Sequence, residues 1–362
     1  MIGDLLRGPS LPPSPGQLKI RRPSYRKKII AIASGFSLFL LLAAASYAFA
    51  LSPVDRSATT FVRIVVPEGA TAADIGRLLE EHHLIRNRMA FEIYTLLTGT
   101  KSSLRAGGHA LKKSQSVAEI VAGLVDGSTD KYSVIILPGL TLEQLADPTI
   151  RGSLADQGFT PNEVKTAFAA SYVSTIFTDK PAGTSLEGYI HPDTYGISTA
   201  DPLEAVLKMS FREMERVVAE GKFEQRLQAQ GLTLRQGIIL ASIVQKEVSD
   251  PKVQPQVAQV FLKRLRDNIA LGSDVTFLYI AAKEGRTPSV NDPSPYNTRR
   301  VKGLPPGPIS NFNLSALEAV AAPAAGDYVY FVAGDDGTTH FARTEAEHNA
   351  NIAAYCKKLC HQ

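Results

Sequence analysis

The stretch Thr233-Leu234-Arg235-Gln236-Gly237-Ile238-Ile239-Leu240-Ala241-Ser242-Ile243-Val244-Gln245-Lys246-Glu247 sets the architecture. Thr233 and Gln236 form a capping-box signal, and Ile239, Leu240, Ile243 and Val244 follow at helical spacing. A helix is predicted over 233–247. Glu247 stands four residues after Ile243, three after Val244 and seven after Leu240, so it falls on the apolar stripe. Gln245 and Lys246 are expected on other sides of the helix. A carboxyl on an apolar stripe is partly desolvated, and the negative end of the helix dipole acts in the same direction. Both effects raise its pKa and suit it to proton donation near neutrality. A structural glutamate paired with Arg264 or Arg266 fits the same helix equally well.

The surroundings of this helix are mainly helical from Pro161 onward, with further helices predicted at Pro202–Glu220, Val253–Asp267 and Leu314–Ala321. A Gly/Pro-rich loop, Leu186 to Tyr195, interrupts them and is dense in rings and carboxylates. The stretch after Gly272 reads as loop-rich, through Ser273-Asp274, Pro293 to Asn297 and Gly303 to Pro308. Tyr328 to Val332 and His340 to Ala342 flank Gly334-Asp335-Asp336-Gly337 as a hairpin, and Arg343–Leu359 reads as the closing helix. If glycoside chemistry is at work, a second acid comes from Glu187, Asp193 or Asp274, although acids after Pro or Ser more often cap turns. Tyr189, Tyr195, Tyr279 and Tyr296 are the rings available for sugar stacking in a chain without tryptophan.

Upstream, the segment from Phe61 alternates as a strand, turns at Pro67-Glu68-Gly69 and enters a helix at Thr71-Ala72-Ala73-Asp74. Similar helix entries recur at Ser116 to Glu119 and Thr141 to Gln144, a weak repeat of small α+β units. Ahead of them, Ile29–Leu51 holds 23 residues without a charge, enough to span a hydrocarbon core of about 30 Å. Met1 to Lys28 carries seven Lys/Arg against Asp4, so it is +6 while the rest of the chain is −2. The positive-inside rule keeps that tail in the cytoplasm and sends the remainder outward. Ala48-Phe49-Ala50 resembles a cleavage site, but the apolar run is longer than a signal-peptide core, which favours an uncleaved anchor.

Because the positive excess sits in the Pro-rich tail, no basic face for nucleic acid is expected. The seven histidines show no metal-ligand spacing, no nucleotide loop follows a strand, and no cofactor is expected. Ser242 and Lys246 imitate a Ser/Lys nucleophile pair, though a small serine in a packed helix is the simpler reading. Cys356 and Cys360, at i,i+4, sit near the limit of disulfide geometry if both are helical.

Taken together, Leu186-Glu187-Gly188-Tyr189, Pro192-Asp193-Thr194-Tyr195, Ala241 to Glu247, Ser273-Asp274, Ser294-Pro295-Tyr296-Asn297-Thr298 and Gly303 to Ile309 resemble the YceG-like family of endolytic murein transglycosylases. The resemblance runs from Ile29 to the closing Glu345-x-x-His348-Asn349. It implies an α+β protein with a cytoplasmic tail (1–28), one anchor (29–51), a linker (52–60), a LysM-like subdomain (61–130) and a mainly helical catalytic domain with a short β-sheet (131–362). It further implies cleavage of nascent glycan strands to 1,6-anhydromuramyl ends, at the periplasmic face of the inner membrane, with peptidoglycan synthases as expected partners. A lytic transglycosylase needs no protein nucleophile, because the muramyl 6-hydroxyl attacks C1 and one glutamate serves as acid and then base. That role is carried to Glu247. Substrate contacts are expected from Glu187, Tyr189, Asp193, Tyr195, Ser273, Asp274, Tyr296 and Asn297. Three departures stand out: Gln245 where the family often has a second glutamate, His191 where it usually has an aromatic ring, and Val275 where proline is usual.

Overall fold

The computed structural model describes residues 25–127 and 131–358. The basic tail up to residue 24, the expected boundary near 130, and Cys360 with His361 lie outside the described residues. The chain divides into two compact units, Met1–Ala50 and Leu51–Gln362. Helix α1 (Tyr25–Leu51) contains the stretch Ile29–Leu51, which is long and apolar enough to cross a membrane. Its large side chains, such as Ile32 and Phe39, are exposed.

The second unit begins with strand β1 (Phe61–Val66), helices α2 (Ala72–Glu81) and α3 (Arg88–Leu97), strand β2 (Gly107–Lys112) and helix α4 (Val117–Asp126). β1 and β2 pair antiparallel, from Phe61 opposite Lys112 to Val66 opposite Gly107. Ile64 and Val66 point inward and Val65 outward, as the pleat requires. They meet Leu79, Phe91, Leu111, Ile120 and Leu124 in one apolar cluster. Thr71 with Asp74 and Ser116 with Glu119 form reciprocal capping boxes, so the helix entries read from sequence are present. β2 escaped the sequence reading because Gly107-Gly108-His109 carries no strand-like alternation. Its pairing and its cover select the strand instead: a Cβ on Gly108 would come within 2.3 Å of Thr199 Oγ1 and 2.4 Å of the Ala200 nitrogen.

A second, larger cluster is built by β3 (Lys131–Ile135), α5 (Leu142–Ala146), α6 (Pro161–Ala169), β4 (Thr194–Ser198), α7 (Leu203–Glu220), α8 (Phe223–Ala229), α9 (Leu234–Glu247), α10 (Gln254–Arg266), α11 (Asp274–Lys283) and α12 (Leu314–Ala321). β3 and β4 pair antiparallel across more than 50 residues of intervening chain, from Lys131 opposite Ser198 to Ile135 opposite Thr194. The hairpin β5 (Tyr330–Ala333) and β6 (Thr339–Ala342) and helix α13 (Glu345–Tyr355) complete the unit. The molecule is α+β with three separate two-stranded sheets among the described residues.

Helix α9 is the spine of the larger cluster, packed on by α8, α10, α11 and α12. Every residue from Ile238 to Gln245 is buried. The one-faced helix expected from sequence is therefore corrected: Gln245 lies inside, accepting a hydrogen bond from the Asn313 nitrogen at 3.1 Å. Two further corrections concern the C-terminal third. Asp274–Lys283, read as loop, is helix α11, and the closing helix stops at Tyr355 rather than Leu359. Cys356 lies beyond that end, buried and disulfide-bonded, so the helical i,i+4 geometry does not govern it.

Arg63 on β1 links the two clusters. Its guanidinium donates to the carbonyls of Thr199 (2.6 Å) and Asp201, lies 4.3 Å from the Phe159 ring centre and reaches Glu163 at 3.6 Å.

Candidate active site

Glu247 is the last residue of α9, and it lines a cavity of about 450 Å³ walled by α10, the Leu271–Asp274 turn, Arg299, β5 and α13. Burial pushes its pKa up to about 7. The Ser273 hydroxyl opposes that shift by donating to Oε1 at 2.5 Å, Asp274 adds to it by repulsion, and the charges of Arg299 and Arg264 lower it. A carboxyl poised near neutrality can both give and take a proton.

The ion pair weighed against catalysis is absent among the described residues. Arg264 points its guanidinium at the carbonyls of Val329 (2.6 Å) and Leu271 (2.7 Å), and Arg266 is exposed. The hydrogen bond from Ser273 is instead the direct support of Glu247.

Ser273 occupies the N-cap of α11 yet makes no side-chain cap bond, because its hydroxyl is turned to Glu247. The Thr276 hydroxyl donates to the Ser273 carbonyl at 2.7 Å, and the Ser273 nitrogen donates to Thr298 Oγ1 at 3.1 Å. Ser273, Thr276 and Thr298 are all buried, so the hydroxyl that faces Glu247 is held from behind. Asp274, beside it, is paired with Arg299.

The remaining expected site residues separate into distinct places. Asn297 is buried and spends its amide on the carbonyls of Val290 (2.9 Å) and Asp292 (2.8 Å), while its Oδ1 accepts from the Arg299 nitrogen at 3.1 Å. It shapes the loop that presents Arg299 rather than facing the cavity. Tyr189 and Tyr195 belong to the apolar core, with Tyr195 donating to the His191 carbonyl at 2.9 Å. Both rings are buried in that core and neither lines the cavity that holds Glu247. Tyr279 and Tyr296 lie 5.4 Å apart, centre to centre, outside the Glu247 cavity.

Glu187 is buried with them, accepting from the Leu142 nitrogen (3.3 Å) and the Tyr279 hydroxyl (3.2 Å), and burial pushes its pKa up to about 8. Its position at Leu186-Glu187-Gly188 needs glycine next to it: Gly188 has φ +80°, and a Cβ there would meet Pro308 at 2.3 Å. Neither Glu187 nor Asp193 lines the cavity that holds Glu247.

Aromatic lining comes from residues not singled out for stacking. Tyr330 and His348 stack with ring centres 5.1 Å apart, and both line the cavity, as does Arg264, whose guanidinium lies 5.1 Å from the Tyr330 ring. The hairpin and closing-helix signals were visible, but nothing local in them pointed at Glu247. The Ser/Lys pair dissolves as well: Ser242 donates to the Ile239 carbonyl at 2.7 Å and Lys246 to that of Gly139 at 3.1 Å.

A carboxyl held near neutrality at the end of a core helix, beside a cavity with rings and guanidinium groups, is equipped for general acid/base chemistry. Residues 64–354 match the YceG-like family, and the chain belongs to that family. It is 30% identical over 314 residues to the endolytic murein transglycosylase of Bacillus subtilis strain 168, covering 83% of this chain and 86% of that protein. The protein of the same description from Streptococcus pneumoniae D39 is 27% identical over 361 residues, covering 90% of this chain and 65% of its own length. A yceG-like protein of Listeria monocytogenes, known from a crystal structure, aligns with a TM-score of 0.52 and 28% identity over 80% of this chain and 98% of its own.

Proposed function

We propose that this protein is an endolytic peptidoglycan lytic transglycosylase with Glu247 as its single acid/base. The observation that carries the reading is the state of Glu247: desolvated, with its pKa at about 7 and no ion-pair partner among the described residues. The protonated carboxyl gives its proton to the oxygen linking MurNAc to GlcNAc, and the C1–O bond breaks. The muramyl 6-hydroxyl then adds to C1 while the Glu247 carboxylate takes its proton. The products are a 1,6-anhydroMurNAc end and a free GlcNAc 4-hydroxyl, with Glu247 returned to its acid form and no water consumed. Asp274 is the other acid beside Ser273, but Arg299 occupies it. It is therefore poorly placed to be the second carboxylate of a muramidase.

Ile29–Leu51 is the proposed anchor, with the basic tail cytoplasmic and the Glu247 unit at the outer face of the inner membrane, ending strands as they are made. Residues 61–130 are proposed as the LysM-like part that holds glycan, with 131–362 as the catalytic part. Synthases that release new strands at the same surface are the expected partners.

Mass analysis of digested glycan strands tests the chemistry. Anhydromuramyl ends are expected, whereas reducing ends would mean a hydrolase and no new ends a binding scaffold. Glu247→Gln, which keeps size and hydrogen bonding but cannot donate an acidic proton, is expected to lower turnover by at least about a hundredfold. Full activity in that folded variant would overturn the assignment.

A further inference from the structure

We infer that His191, Asp193 and Glu213 form a site for one divalent transition-metal ion of the zinc class, clamping the segment ahead of β4 to helix α7. One ligand atom from each of the three lies within 4.8 Å of the others. His191 is 8% exposed, and its Nδ1 is buried without a hydrogen-bond partner among the described residues. A buried ring nitrogen left unpaired is costly and calls for a partner.

The backbone around that ring is pinned. The His191 nitrogen donates to Ser210 Oγ at 2.7 Å, and its carbonyl accepts from the Tyr195 hydroxyl at 2.9 Å. Two residues on, the Asp193 carbonyl accepts from the Ile136 nitrogen at 2.9 Å. Asp193 Oδ1 accepts from the Thr194 nitrogen at 2.7 Å, and its side chain is exposed enough to turn. Glu213 is held by Arg216 through Nε at 3.0 Å and Nη2 at 2.5 Å. Each of its oxygens keeps a second lone pair, and Arg216 has another partner in Glu220, so Glu213 can share itself with a cation.

One imidazole nitrogen and two carboxylate oxygens are a donor set for zinc, with water completing the shell. Ligand atoms around tetrahedral zinc sit about 3.3 Å apart, so modest side-chain rotations close the present spacing. The two carboxylates match the ion's charge. The third ligand comes from α7, about twenty residues downstream, which is why no local metal spacing is visible in the sequence.

The test uses the full chain in detergent, without a polyhistidine tag, stripped with a chelator and then titrated with zinc chloride by calorimetry. Bound metal is counted by elemental analysis. One zinc per chain is expected, with a higher melting temperature when it is bound. His191→Phe, which keeps a ring in the core, is expected to abolish this binding. Asp193→Asn, at an exposed position, is expected to weaken it at least tenfold. Circular dichroism checks each fold, and if His191→Phe misfolds, Asp193→Asn decides. No saturable uptake by the wild type would mean that water alone fills the cluster. Equal uptake by wild type and folded variants would place zinc on other histidines. Either result overturns the proposal.

Discussion

At Glu247 two effects of opposite sign meet, burial raising the pKa and the Ser273 hydroxyl lowering it. A hydrogen bond to a carboxylate stabilises its charged form, so Ser273→Ala removes the opposing effect. The expected result is a rise of about one pH unit in the alkaline limb of kcat/KM, because the acid form of Glu247 then persists to higher pH. An unchanged or downward-shifted limb would remove Ser273 from this role. Glu187 has a separate consequence, for stability. Its pKa in the folded state, about 8, lies above the ordinary 4.5. Its contribution to stability is therefore fully present below about pH 4.5 and is lost as pH rises through about 8. Urea midpoints at pH 5 and pH 8 should show wild type weaker at pH 8. Glu187→Gln should be markedly less sensitive, with the residual slope coming from Glu247, whose raised pKa acts in the same direction up to about 7. A variant as pH-sensitive as wild type would show that Glu187 is not the group responsible.

Among the elements, α9 and α11 build the site between them. α9 ends on Glu247, while α11 gives up the side-chain cap at its own N-terminus to place the Ser273 hydroxyl against that carboxyl. The cost to α11 is offset by Thr276 and Thr298, which hold Ser273 through its carbonyl and nitrogen. β2 shows a different coupling, since Gly108 lets the strand approach the backbone that follows β4. Gly108→Ala introduces a methyl against Thr199 and Ala200 and is expected to destabilise the unit by about 1–3 kcal/mol. Chemical denaturation measures it directly, and a neutral result would mean that the junction between the two clusters yields freely.

On the scale of the whole molecule, the compact unit starts at Leu51, and Leu51 itself packs against the smaller apolar cluster. The full chain is expected in the membrane fraction. A version lacking residues 1–50 should be soluble, with an unchanged melting temperature for the remaining unit. Sedimentation of that version with membranes would place the anchor elsewhere. Much of this organisation is legible locally. Capping boxes, the uncharged run 29–51 and the apolar core of α9 are written in neighbouring residues, and the chain's phase alone put Glu247 in line with Ile243 and Val244. Reaction class is carried by the joint presence of several loops, not by any one of them. What local reading missed depends on partners distant in sequence. The β3–β4 pairing joins segments more than 50 residues apart, α11 is masked by its loop-like neighbours, and Gln245 is buried because α12 covers the side that its own helix would leave polar. Sequence by itself placed Glu247 in line with the apolar stripe of α9, because helical phase is a property of adjacent residues. Only the tertiary structure decided what surrounds it, the Ser273 hydroxyl, Arg264, Arg299 and the Tyr330–His348 stack, because those contacts form only when distant segments pack together.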